Sequence, residues 1–89
     1  MRIQVTEEDL RLGMANDCSR CPVARAILRQ VPDIEFIDID GESVIIKFVC
    51  NPRRNYPLPL EVQNQIALID DGQQLNLAPF SFELGEPLP

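Results

Sequence analysis

Residues 34–50 read IEFIDIDGESVIIKFVC, two runs rich in β-branched and aromatic residues joined at Asp40-Gly41. An Asp-Gly pair flanked by alternating apolar residues signals a two-residue type I′ hairpin, whose central residues both need positive φ. Such a turn pairs Ile39 with Glu42, Ile37 with Val44, Glu35 with Ile46 and Asp33 with Phe48. One face of the ribbon then carries Ile37, Ile39, Val44, Ile46 and Phe48, and ends at Cys50. The other holds Ile34, Phe36, Ile45 and Val49, which predicts a central hairpin covered in part on both sides.

Elements of both kinds flank this hairpin. Arg2 and Gln4 alternate with Met1, Ile3 and Val5, the pattern of a short half-buried strand. In TEED, Thr6 is placed to cap a helix, with Asp9 three residues on and two glutamates at the positive end of its dipole. That helix is short and stops near Gly13. A second helix is expected from about Asn16–Ser19 to Gln30, with Pro22 in its first turn and Pro32 beyond its end. Its apolar arc holds Cys21, Ala24, Ile27, Leu28 and Val31, with Arg25 and Arg29 on the far side.

The segment NPRRNYPLP, residues 51–59, reads as a proline-rich surface loop. Pro59 opens a third helix through Asp71, with Leu58, Val62, Ile66 and Ile69 on one stripe and Gly72 as its stop. APFSFEL closes the chain with a strand that turns Phe80, Phe82 and Leu84 inward. The expected fold class is α+β: a small, mainly antiparallel sheet built on the central hairpin, with two longer helices and one short N-terminal helix. Residues 1–84 form a single domain and residues 85–89 a tail expected to fray.

A chain of 89 residues with 45% hydrophobic and 25% charged residues has room for one globular domain with a thin core. Dimerisation is a natural way for such a chain to bury more apolar surface, so a homodimer fits. The net charge of −6 argues against nonspecific binding to nucleic acid or to an anionic membrane, since both need a basic surface. No stretch is long and apolar enough to span a bilayer. Three cysteines lack the even framework of a small secreted scaffold, so a reducing cytoplasm is the expected location. Histidine is absent, which removes the usual general base and the Ser-His and Cys-His nucleophile pairs.

Two sets of residues stand out as sites. Cys18 and Cys21 form a C-x-x-C at an expected helix start, where backbone amides depress a thiolate pKa. With Cys50 they offer three thiolates, so a redox pair or a zinc site is one reading, and packing by small core residues is the other. The second set is basic. Arg20 and Arg25 lie near the helix start, and the 51–59 loop adds Asn51, Arg53, Arg54 and Tyr56. If that loop folds over the helix, these residues make a positive, aromatic pocket for a nucleotide or another anionic ligand. The bland alternative is scattered arginines paired with the surplus carboxylates. The pairs Asp38/Asp40 and Asp70/Asp71 carry neither a base nor a metal spacing and read as solvated.

TEEDL (residues 6–10), CPVARAI (residues 21–27) and FSFEL (residues 80–84) together resemble a family of short bacteriophage and prophage accessory proteins. The likeness spans most of the chain but rests on these short motifs. It implies no established activity, and a setting inside an infected bacterium. Proteins of that kind often act by binding a host protein or a defence-signal nucleotide. The sequence thus points to a non-enzymatic binding module with no cofactor, acting as an inhibitor or a sequestering protein on a host protein or a small anionic ligand. A thiol-dependent protein using Cys18, Cys21 and Cys50 is the alternative.

Overall fold

Gly41 turns the central hairpin with φ at +96°, a backbone state that L side chains rarely adopt. Asp40 does not share that state. Its carboxylate instead accepts the N–H groups of Glu42 and Ser43 at 2.9 and 2.8 Å, which also hold its pKa below the ordinary value. The tight loop is therefore Gly41-Glu42, with glycine at the first central position as in a type II′ turn, and not the type I′ pair Asp40-Gly41. Next to the turn the pairings move by two from the expected register, so that Ile39 faces Val44 and Ile37 faces Ile46, while a bulge between Ile34 and Phe36 sets Phe48 opposite Ile34 in place of the expected Asp33. A slip of two preserves side-chain parity, whereas a slip of one would have turned the core face to water. Ile37, Ile39, Val44 and Ile46 are all buried.

A computed structural model describes all 89 residues, with this hairpin at the centre of an α+β fold. In chain order the elements are β1 (Arg2–Val5), α1 (Glu7–Leu12), α2 (Pro22–Gln30), β2 (Ile34–Ile39), β3 (Ser43–Phe48), β4 (Arg53–Pro57), α3 (Leu60–Leu68) and β5 (Phe80–Glu83). They form two antiparallel sheets, β1–β5 and β2–β3–β4. No helix is long and apolar enough to cross a membrane.

The segment expected to be a loop is corrected here. Arg53–Pro57 is a strand, pairing Tyr56 with Val44 and Arg54 with Ile46. β3 is the middle strand and must satisfy backbone groups on both sides, and the polar 53–57 segment supplies the second set. Pro57 is tolerated because β4 is an edge strand. Leu88 N–H donates to the Asn55 carbonyl at 2.7 Å and ties the tail to this edge. The outer sheet face is less covered than expected. Phe36 and Val49 are exposed and Ile45 is half-buried, while Ile34, expected on this face, is carried by the bulge opposite Phe48 and packs against the core. Phe48 is half-buried as well, at the end of its strand.

The helices keep their expected order. Thr6 Oγ1 accepts from Asp9 N–H while Asp9 Oδ2 accepts from Thr6 N–H, a reciprocal capping box. α2 starts later than the sequence suggests, at Pro22, with Cys21 as its cap. Its buried side is Val23, Ala24, Ala26 and Ile27, while Leu28 turns outward. Val62, Ile66 and Ile69 bury the expected stripe of α3 and its continuation, and Gly72 breaks that continuation with φ at +88°. Both sheets and all three helices contribute to one core.

Candidate functional site

Asp9 is the anchor of the site. Its side chain is 1% exposed, and the Arg29 guanidinium donates to its Oδ2 at 2.7 Å. Arg25 Nε lies 3.2 Å from Asp9 Oδ1, and its Nη2 reaches Glu8 at 3.1 Å. Burial alone would raise the Asp9 pKa. Hydrogen bonds from Arg29 and Thr6 outweigh it and hold the carboxyl below its ordinary value. One buried carboxylate of α1 thus fixes two arginines that stand one turn apart on α2.

The other wall is fixed by backbone geometry. Gly13 ends α1 where a Cβ would lie 2.4 Å from Pro22 N, so only glycine lets α1 end against the start of α2. Met14 N–H donates to the Arg20 carbonyl at 2.8 Å, which closes the intervening loop and sets its two ends side by side. Asp17 Oδ1 accepts the N–H groups of Ser19 and Arg20, both at 3.0 Å, and stiffens the loop tip.

Between these walls lies a groove of about 480 Å³, lined by Leu12, Met14, Arg20, Arg25, Leu28 and Arg29 together with Ser19. Its three large apolar side chains are between 44% and 51% exposed. A second hollow of about 380 Å³ shares Ser19, Arg20 and Leu28 with the first and runs on to Phe36 on β2. There Arg53 stacks its guanidinium 4.4 Å from the centre of the Phe36 ring. Lys47 pairs with Glu35 beside it. The two hollows make one elongated trough.

The charge distribution is uneven. Arg20, Arg25 and Arg29 line the trough, Lys47 and Arg53 contact its residues Glu35 and Phe36, and the acids paired with these five are Glu8, Asp9 and Glu35. The remaining chain holds three basic and eleven acidic residues. The trough is a locally positive strip on an acidic protein.

The structure therefore regroups the residues singled out in the sequence. Arg20 and Arg25 come together as expected, and Arg53 joins them through Phe36 rather than by a loop folding over the helix start. Tyr56 is corrected: it is 8% exposed, facing the core opposite Val44, and offers no ring to a ligand. Asn51 sits in the turn after β3, and Arg54 lies exposed on β4. Neither lines the trough. Leu12, Met14, Leu28 and Arg29 belong to the trough and were not singled out in the sequence. The spacing of Arg25, Leu28 and Arg29 on one helix is the local signal that points to them.

Cys18 and Cys21 line one hollow of about 210 Å³ with Asp17, Asp40 and Asp70, and Cys50 is not part of it. Cys18 is exposed near Asp38, whose carboxylate disfavours the thiolate and pushes the thiol pKa up. Cys21 is buried, which raises its pKa, although its sulfur accepts from Ala24 N–H at 3.5 Å as the helix cap. Cys50 is exposed after β3, with φ at +69°. No three thiols or carboxylates are grouped to hold a metal ion. The three-thiolate site loses its geometric basis, while Cys18 and Cys21 stay on one hollow with both thiols pushed toward the protonated form, Cys18 by the neighbouring Asp38 and Cys21 by burial.

Fold and site together define a small α+β domain with an arginine-bordered, partly apolar trough. No protein-family model, curated protein or solved structure matches the chain.

Proposed function

We propose that this protein is a non-enzymatic binding module whose working face is the trough between α1, α2 and β2. There it holds an anionic partner and acts by inhibiting or sequestering it. A host protein and a small nucleotide-like ligand are the two classes of partner in view. The observation that carries this reading is the gathering of Arg20, Arg25 and Arg29 with three exposed apolar side chains in one groove, on a chain of net charge −6. Arginine forks suit carboxylates and phosphates, and a positive strip on an acidic surface steers an anionic partner to one place. The chain has no histidine for general-base work, and the Cys18 and Cys21 thiols are pushed toward the protonated form.

Thermal shift with poly-L-glutamate, cyclic and linear nucleotides, and sulfate as the plain-anion control tests the reading. At least one polyanionic probe should raise the melting temperature, because a ligand that binds only the folded state stabilises it. The rise should fade between about 0.05 and 0.5 M salt, as partly exposed charges are screened. It should also fall in Arg20→Ala and persist in Arg54→Ala. No response to any probe, or equal loss in the two variants, would overturn the proposal.

A further inference from the structure

We infer that the occupant of the trough is a segment of protein chain in which carboxylates are interleaved with large apolar side chains. This rests on the anionic-partner reading above and narrows it to one class.

The trough lacks what a nucleotide would use. Its start-of-helix amides are spent: Pro22 has no N–H, and the N–H groups of Val23 and Ala24 face the Cys21 sulfur beneath buried backbone. The one aromatic ring lining the trough, Phe36, is already stacked against the Arg53 guanidinium, and Tyr56 is in the core.

What the trough does hold suits a peptide. Arg25 and Arg29 already bind carboxylates in the fold, and Arg20 has no acidic partner. Leu12, Met14 and Leu28 need apolar side chains over them, which phosphates do not supply. Methionine adapts its shape to such contacts. The two hollows share Ser19, Arg20 and Leu28, so the site extends from α1 to β2, a reach that consecutive residues of a chain can fill. Charge complementarity then selects an acidic segment over a basic one.

Selection of a random short-peptide display library against the intact protein tests the inference, with the same nucleotides titrated in parallel. The enriched peptides should alternate Asp or Glu with Leu, Ile, Met or Phe. Their affinity should fall about tenfold or more in Arg20→Glu and in Leu28→Glu, each checked for an intact melt, and stay within about twofold in Arg54→Glu. Enriched peptides that are basic, or that bind Leu28→Glu as well as the parent, would overturn it. Nucleotides that bind with loss in Arg20→Glu while no peptide does would also overturn it, yet leave the anionic-partner reading standing. Failure of every anionic probe would remove both.

Discussion

Replacing Asp9 by asparagine keeps the shape of the side chain and removes its charge, at the point where α1, α2 and the trough meet. The substitution weakens a charge-assisted hydrogen bond from Arg29 at 2.7 Å and the return half of the Thr6 capping box. A hydrogen bond to a charged group contributes about 1.5–3 kcal/mol, and loss of a cap costs about 1 kcal/mol. Removing one partner of a fully buried ion pair costs about 3–5 kcal/mol, because the other charge is stranded. Here the cost is smaller, since the Arg25 and Arg29 side chains are a third or more exposed and regain water. The expected loss is about 2–4 kcal/mol, which for a domain of this size lowers Tm by roughly 10–20 °C. Denaturant melts with circular dichroism detection measure it directly.

The pH dependence gives an independent check. The folded Asp9 pKa lies below its ordinary value of 3.8. Its contribution is therefore fully present above that value and is lost as pH falls through the folded pKa. The gap between parent and Asp9→Asn should be constant near neutrality and close only below about pH 3.8. A loss under about 1 kcal/mol, or a gap unchanged down to pH 2, would refute the view that this carboxylate anchors the two helices.

Other substitutions probe the backbone, the core and the thiols. Gly41→Ala meets no neighbouring atom but forces φ of +96° on an L residue, so it should cost about 1–2 kcal/mol in a urea melt. Gly13→Ala places a Cβ against Pro22 backbone at 2.4 Å and should lower stability further, and equal losses at the two glycines would contradict the packing described. Ile46→Ala, fully buried, should cost about 2–5 kcal/mol, and Phe48→Ala, half-buried, should fall below the about 3–5 kcal/mol of a core phenylalanine. The reverse order would mean that the hairpin register is wrong. Cys18 should react with a disulfide reagent only slowly at neutral pH, gaining speed above its ordinary pKa of 9.0, and Cys21 should react only on unfolding. A fast phase with an apparent pKa below 7 would restore an activated thiol.

The sequence alone determines the features set by local periodicity and local hydrogen bonding. The Thr6–Asp9 box, the Val62–Ile66–Ile69 stripe and the inward set Ile37, Ile39, Val44 and Ile46 all follow from spacing, and each is found in the folded chain. Even the misread turn left the faces of Ile37, Ile39, Val44 and Ile46 correct, because an even slip preserves parity, whereas the bulge before Phe36 moved Ile34 to the core side. Tertiary structure decided the rest. Whether glycine takes the first or second place in the turn depended on Asp40 finding the Glu42 and Ser43 amides. Residues 53–57 became a strand because β3 had an unpaired side to fill, which a polar pentapeptide does not announce. That pairing sent Tyr56 into the core and Arg53 onto Phe36. The trough itself exists only where the end of α1 meets α2, since Leu12 and Leu28 are distant in sequence and become neighbours through Asp9 and Gly13.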